Sequence, residues 1–296
     1  MTWAVVARKD FRDAVRSHWL WVLSALFVAV LALPPALIVA DLVAVQSGAN
    51  DVFTEFYVRV LMDDTMTFLV PVIAVVLAYA SVTGERDSGT LKLLLSLPHS
   101  RRDVVVGKAV GRGTVIVLPV LAGFVVTALV FLATPISLSP GPFVAFALLS
   151  ALVGVVFVGI AVGVSAGTRS SRASMIGAVG VYVLFTLFWN QFVRGVIRLL
   201  SDYAGLSGAP RVKLHLFLKV LNPSQAYKTL VARVFADSAV AARVSLIGGL
   251  QRLQYGQLLG DSVPFYLSDP FVGLVLLAWL VAAPAAGYYA FREADL

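Results

Sequence analysis

Gly113–Thr168 reads GTVIVLPVLAGFVVTALVFLATPISLSPGPFVAFALLSALVGVVFVGIAVGVSAGT, 56 residues without Asp, Glu, Lys or Arg. At about 1.5 Å per residue, one helix of this length would be more than twice as long as the roughly 30 Å hydrocarbon core of a bilayer is thick. The run is interrupted at Thr134–Pro142, TPISLSPGP, whose Pro and Gly content is typical of a tight turn. It therefore predicts two membrane-spanning helices, 113–133 and 143–167.

Other charge-free runs predict four more spans, at 19–40, 65–84, 173–193 and 270–291. The first run is longer than the 7–15 apolar residues of a signal peptide, which favours a span. The composition agrees, because 59% of residues are hydrophobic and 13% are charged, whereas about 25% are charged in a soluble domain. We predict an all-α membrane protein, a single transmembrane domain with six spans.

The distribution of Lys and Arg predicts the orientation. Thirteen of them lie in the N-terminal segment, the 85–112 connection, the 168–172 connection and the C-terminal tail, against only Arg59 in the two short loops of the other side. Both termini are therefore expected on the cytoplasmic side of the cell membrane. The 75-residue segment 195–269 is too long for this rule, and we expect it to form amphipathic helices at the outer interface, either as a cap or as a binding surface.

The N-terminal segment, residues 1–18, predicts an interfacial helix that lies flat and turns into the first span as an elbow. One face is polar and the other is mostly apolar, as helical spacing requires. The polar face consists of Lys9, Arg12, Asp13 and Arg16, and the other of Ala4, Ala7, Phe11, Ala14 and Val15.

The connection after the second span, residues 85–112, predicts a short cytoplasmic helix. Ser88 is a typical N-cap, and Pro98 stops the helix. Ser100 with Asp103 matches a capping box that starts the next helix. The short helix has one apolar face, which is buried either against this protein's own helix ends or in a groove of a cytosolic partner. That face consists of Leu91, Leu94 and Leu95.

The string ERDSGTLKLLLSLPHSRRDVVVGK (Glu85–Lys108) resembles the signature of the permease subunits of type-2 ABC exporters. LNPSQAYKTL (Leu221–Leu230) and the long external segment resemble the NosY-like branch, which serves copper-enzyme maturation. The resemblance implies a permease without a cofactor of its own, paired with a second permease copy or a homologue. It also implies a separate ATPase subunit that binds ATP and Mg²⁺.

In such permeases the short cytoplasmic helix, from Ser88 to Leu97, would be a coupling helix seated in a groove of the ATPase. Glu85 and Arg86 would lie at its entry, and Gly167–Arg172 would supply a second, smaller contact. The positions that the resemblance assigns to ATPase coupling are Glu85, Arg86, Ser88, Gly89, Thr90, Leu91, Leu94, Leu95, Pro98, Arg101, Arg169 and Arg172.

The chain has no complete catalytic or metal motif. A P-loop ends in Gly-Lys-Ser/Thr, but Gly107-Lys108 is followed by Ala109, so we expect ATP hydrolysis in another polypeptide and no enzyme activity here. The only soft-ligand pair, Met62 and Met66, is too small for a copper site.

The Gly163–Gly167 string matches the G-x-S-x-G motif of serine hydrolases, but it is predicted to end a membrane helix rather than a strand. The three histidines, at positions 18, 99 and 215, are predicted outside the hydrocarbon, so no base is expected nearby. Small residues at i+4 spacing favour close helix contact instead, either within the chain or across a dimer. They are Gly159, Gly163 and Gly167.

The predicted spans contain no deeply placed ionisable residue, which disfavours the alternative of an ion-coupled secondary transporter. A third hypothesis is a non-transporting scaffold that docks an outer protein on segment 195–269. The polar residues of span five line a translocation route or make ordinary interhelical hydrogen bonds, and the sequence leaves both open. They are Tyr182, Thr186, Asn190 and Gln191.

Overall fold

The computed structural model describes residues 3–16, 18–42, 65–96, 100–133, 139–236, 238–247 and 251–293, and all regular structure in them is helical. A π-helical turn, Leu184–Phe188, joins α8 to α9, and a 3₁₀ turn, Phe265–Leu267, precedes α14. The helices are α1 (Trp3–Val15), α2 (His18–Leu42), α3 (Thr67–Ala78), α4 (Thr83–Asp87), α5 (Thr90–Ser96), α6 (Arg101–Leu132), α7 (Pro140–Gly167), α8 (Ser171–Val183), α9 (Trp189–Ala204), α10 (Gly208–Val220), α11 (Pro223–Phe235), α12 (Ala239–Val244), α13 (Gln251–Leu259) and α14 (Asp269–Arg292).

Within these described residues, five helical segments are long and apolar enough to cross a membrane. The pair Trp3–Val15 and Leu20–Ala36 is bent by 71° and supplies the sixth if it is counted as one span. The five segments overlap five of the six runs predicted from the sequence. They are Thr67–Asp87, Arg101–Leu132, Pro140–Gly167, Ser171–Ala204 and Asp269–Arg292.

The fifth segment continues to Ala204, well past the predicted end at residue 193. Residues beyond 193 are too polar to register as a span, but Val193 and Ile197 are buried one turn apart and continue the helical pattern. The helix ends at Gly205, whose φ of +64° places it in the left-handed region that favours glycine. In segment 195–269, where the sequence predicts amphipathic helices, the described residues also form α10, α11, α12 and α13.

The chain forms two compact units, Met1–Val179 with Leu280–Leu296, and Gly180–Trp279. In the first unit, α6 is the central helix, along which α1, α2 and α7 pack. Its aromatic core includes Phe124, whose ring lies 5.4 Å from that of Phe143 and 5.1 Å from that of Phe146.

The glycine stripe of α7 packs within the chain, against residues 280–290 of α14. A Cβ atom on Gly163 would collide with the carbonyl of Ala283, and one on Gly287 would collide with the backbone of Gly163. Gly159 faces Pro284 and Gly167 faces Ala290. Of the two alternatives, the structure therefore shows close contact inside one chain, which small residues permit.

In the second unit, Asn222 connects the π-helical turn to the start of α11. Its Oδ1 accepts from the Ser224 amide at 2.8 Å, and its Nδ2 donates to the Phe185 carbonyl at 2.6 Å. A π turn disrupts the regular α-helical hydrogen-bond pattern, and the fully buried Asn222 gives this carbonyl a partner. The Asn-Pro of the 221–230 string thus has a structural role.

A buried arginine of α12 joins α11, the 3₁₀ turn and the start of α14 in the second unit. Arg243 is completely buried and donates to the Leu267 carbonyl at 2.6 Å and to Thr229 at 2.9 Å. Its charge is paired with Asp269 at 2.5 Å, and Arg233 binds the same carboxylate at 3.1 Å. Such a charge is tolerated in a core only because it is both paired and hydrogen-bonded.

Candidate functional site

The break between α3 and α4 is closed by two serines of α7 and α8. The Ser165 hydroxyl accepts from the amides of Val82 at 3.1 Å and Thr83 at 3.2 Å, which are left free at the start of α4. Ser174 donates to the Tyr79 carbonyl on the other side of the break. The serine of the G-x-S-x-G string therefore stabilises a helix break.

Arg86 and Asp87 at the end of α4 bind the connection between α7 and α8. The Arg86 guanidinium donates to the Thr168 carbonyl at 2.7 Å, and the Asp87 carboxylate accepts from the Ser171 amide at 3.0 Å. The two segments that the resemblance assigned to ATPase contact therefore lie side by side. Arg169 is exposed in that connection.

A tight turn redirects the chain from α4 into α5. Ser88 donates back to the Glu85 carbonyl at 3.3 Å and lies 2.9 Å from the Thr90 hydroxyl. Gly89 has a φ of +76°, so a side chain at this position would strain the turn. Ser88 thus ends α4 instead of capping α5, and α5 begins two residues later than predicted, at Thr90.

The leucines of α5 divide into a buried set and an exposed one. Leu91 is 1% exposed and packs within this chain, while Leu94 and Leu95 are half-buried. Leu93, which the sequence pattern did not single out, is 69% exposed. Pro98, predicted to end this helix, lies outside the described residues.

A buried ion-pair cluster joins α1, α4 and α6. Lys108 is 2% exposed, and its Nζ lies 3.0 Å from Glu85 Oε1 and 3.7 Å from Asp10 Oδ1. Arg112 Nε lies 2.7 Å from Asp10 Oδ2, and Lys9 Nζ lies 3.4 Å from Glu85 Oε1. We call these five residues the base cluster.

Sequence reasoning missed the base cluster because its members come from three separate segments. The one available signal was Lys108, an isolated charge between apolar residues in VVVGKAV. Its neighbours Gly107 and Gly111 allow α1 to approach closely, since a Cβ on Gly107 would meet the Val6 side chain at 2.6 Å. Gly107 and Lys108 do not form part of a P-loop. Gly107 instead serves helix packing and Lys108 serves ion pairing.

The start of α6 binds the end of α14. Ser100 and Asp103 form the predicted capping box, with the Asp103 amide donating to Ser100 Oγ at 3.1 Å. Arg101 donates to the carbonyls of Phe291 at 2.5 Å and Arg292 at 2.9 Å. Both belong to the last turn of α14, where helix carbonyls lack an intrahelical partner. The Arg101 guanidinium also lies over the Phe291 ring.

The four polar residues considered for a translocation route all belong to the second unit. Tyr182, Thr186 and Asn190 are half-buried, and Gln191 is exposed. The Tyr182 phenol interacts with Thr186. Asn190 Oδ1 is buried and has no hydrogen-bond partner among the described residues.

The described residues contain no group of three or more His, Cys, Asp or Glu that could hold a metal ion. Of the two methionines weighed as metal ligands, Met66 is fully buried and Met62 lies outside the described residues.

Comparison with known proteins gave one family and two similar proteins. The family model of the ABC-2 family transporter protein matches residues 4–296. A probable ABC transporter permease protein NosY of Stutzerimonas stutzeri is 33% identical over 294 residues, which cover 97% of each chain. A protein of the same description from Pseudomonas aeruginosa is 30% identical over 293 residues, again covering 97% of each.

Proposed function

This chain belongs to the ABC-2 family of transporter proteins, and we propose that it is the permease subunit of an ATP-driven exporter. A separate ATPase subunit binds ATP and Mg²⁺ and hydrolyses the nucleotide, while this chain provides the membrane passage. The observation that carries the proposal is α5, a short helix between two spans that buries Leu91 in its own chain and exposes Leu93.

The contacts around α5 provide a path for a mechanical signal. A push of the ATPase on α5 reaches α4 through the Ser88–Gly89 turn. From α4 it passes through Glu85 to α1 and α6, and through Asp87 to the start of α8. Because each link is an ion pair or a hydrogen bond between rigid helices, α4 and α5 move together with the ends of the spans.

The test is co-purification with the P-loop ATPase that we expect beside this chain's reading frame. Leu93→Asp should reduce the recovered ATPase at least tenfold, because the exposed leucine enters the apolar groove of the partner. Leu253→Asp is a matched control, since this leucine is also 69% exposed and lies outside the site. A full complex with Leu93→Asp would contradict the proposal.

We propose that two permeases pair through the fifth and last spans. The apolar stretches of these two spans are the least buried: 17% is buried in Ser171–Ala204 and 22% in Asp269–Arg292. The corresponding share is 44–67% in the other three spans. The chain has no cysteine, so a single Val179→Cys should give a disulfide dimer without background. Leu129→Cys, exposed on α6, should not; equal cross-linking of both would contradict this interface.

We also propose the orientation and the pathway. Both termini lie in the cytoplasm, so a reporter that is active only in the cytoplasm should be active when fused to either end.

Transport serves copper-enzyme maturation, which the 221–230 string and the two NosY relatives support. A strain in which this chain is deleted should then make the copper enzyme without its metal. A copper enzyme with its full metal content would contradict the proposed pathway but not the proposed permease role.

The second unit supports two further proposals. We propose that Asn190, whose buried Oδ1 has no hydrogen-bond partner among the described residues, faces the translocation route. Asn190→Leu should then reduce flux without disturbing complex assembly. An outer protein partner docks on α9, where Leu199 is 58% and Tyr203 87% exposed. Tyr203→Ala should then abolish capture of that partner and leave ATPase binding unchanged.

A further inference from the structure

The second unit contains an open apolar groove of about 580 Å³. It lies between α10 and the chain segment that leads into α14. Five of its six lining residues are apolar or aromatic, and the sixth is a lysine. They are Pro210, Lys213, Leu214, Phe217, Tyr266 and Phe271.

The groove lies at the start of α14, a helix that is long and apolar enough to cross a membrane. Phe271 belongs to the first turn of this membrane-spanning helix, and Leu274 and Leu277 farther along it are 59% and 50% exposed. Phe265 and Tyr266, just before the helix, are 78% and 37% exposed. Aromatic residues at the end of a span are typical of the membrane–water interface, so the groove opens at the depth of lipid headgroups.

The walls of the groove are held by contacts between aromatic rings. The Phe217 ring lies 5.6 Å from that of Tyr266 and 6.2 Å from that of Phe271. These pairs join α10 to the start of α14 and stabilise the packing of the two walls.

The charge of the groove is positive and uncompensated. Lys213 is half-buried, and among the described residues no carboxylate lies within ion-pair distance of its ammonium. Asp269 is the acidic residue nearest in sequence to Tyr266 and Phe271 of the groove, and its carboxylate is already paired with Arg233 and Arg243. Residues 180–279 carry nine Lys and Arg against four Asp and Glu, so an anionic ligand is favoured over a neutral or basic one.

We propose that this groove binds an anionic phospholipid, with an acyl chain against Leu214, Phe217 and Phe271 and the phosphate on Lys213. The ligand is an amphiphile because the site joins one cation to apolar walls. It comes from the bilayer because Phe271 places the groove at the end of a helix that is long and apolar enough to span one. Its lining residues belong to the second unit, whereas α5 and the base cluster belong to the first, so the lipid proposal does not depend on the permease proposal.

Native mass spectrometry of the full chain in detergent tests the proposal, with phosphatidylglycerol and phosphatidylcholine of identical acyl chains as probes. The parent protein should retain phosphatidylglycerol at least fivefold more than phosphatidylcholine. Lys213→Gln should lose this preference, and Leu214→Trp, which fills the groove, should reduce both lipids. Arg252→Gln, an exposed cation outside the groove, should behave as the parent.

Each variant is first compared with the parent by its thermal unfolding midpoint in lipid-free detergent, so that a loss of lipid is not mistaken for a loss of fold. A phosphatidylglycerol preference that survives Lys213→Gln would overturn the proposal, because the lipid would then be held elsewhere. Lipid retention that is unchanged by Leu214→Trp would overturn it too. Disulfide dimers of Leu214→Cys in excess phospholipid would assign the groove to a second copy of the chain instead.

Discussion

Replacing Lys108 by Met is expected to destabilise the first unit by about 3 kcal/mol. The lysine is 2% exposed and stands between two carboxylates, and removing one partner of a buried ion pair typically costs about 3–5 kcal/mol. We expect the lower end of this range, because each carboxylate still has one cationic partner after Lys108 is replaced. Asp10 keeps Arg112 at 2.7 Å, and Glu85 keeps Lys9 at 3.4 Å.

The decrease in the free energy of unfolding should come mainly from Glu85, since its remaining partner Lys9 is 55% exposed and screened by water. Adding Glu85→Gln to Lys108→Met should therefore restore about 1–2 kcal/mol, a coupling typical of residues in one network. Lys9→Met, which breaks an exposed pair, should cost less than about 1 kcal/mol.

Thermal unfolding of the purified chain in detergent measures these differences. At about 2–4 °C per kcal/mol for a chain of this order of size, Lys108→Met should lower Tm by roughly 6–12 °C. Lys9→Met should lower it by about 4 °C at most. The reasoning is refuted if Lys108→Met shifts Tm no more than Lys9→Met, or if the effects of Lys108→Met and Glu85→Gln simply add.

Three other predictions follow from the packing. Gly163→Val should lower the free energy of unfolding by more than about 3 kcal/mol or prevent folding, because the valine side chain would overlap the Ala283 carbonyl of the facing helix. Expression and Tm measure this loss. Gly180→Ala is the control, because the space around Gly180 is open. Asn222→Ala should cost about 2–3 kcal/mol in Tm measurements, since the buried Phe185 carbonyl loses its donor, and an unchanged Tm would contradict this role. Burial and the nearby charge of Lys219 lower the pKa of His215 from 6.5 to about 4. Its neutral form therefore stabilises the fold fully above about pH 6.5, and about 2 kcal/mol is lost at pH 5 as the unfolded state gains the proton; His215→Phe should remove this part of the pH dependence, and identical pH profiles would refute it.

The base cluster has a further consequence for how the unit responds to force. Ion pairs in a protein interior keep their strength only while their geometry is maintained, because the buried charges have no water to replace a lost partner. Movement of α4 away from α6 is therefore costly, whereas movement of α1, α4 and α6 together is not. The cluster favours rigid-body motion of the three helices.

The spans, the break within the long apolar run and the capping box at Ser100 could all be predicted from the sequence. Each depends on residues close together in the chain: apolar length decides whether a helix crosses a bilayer, Pro and Gly end helices, and a capping box closes over three residues. The same local rules do not define how far a helix continues beyond its apolar stretch. The fifth helical segment extends past the predicted 173–193 run to Ala204, because its last turns are amphipathic rather than apolar.

The tertiary structure alone decided how the polar and small residues are used. Lys108 reaches Asp10 across 98 positions of sequence, and Ser165 reaches Thr83 across 82. The pattern of α5 showed a leucine face, but only the packing showed that Leu91 is buried and Leu93 exposed. The physical reason is that a buried polar or charged group must find a partner wherever the fold brings one, whereas an apolar residue needs only to leave water.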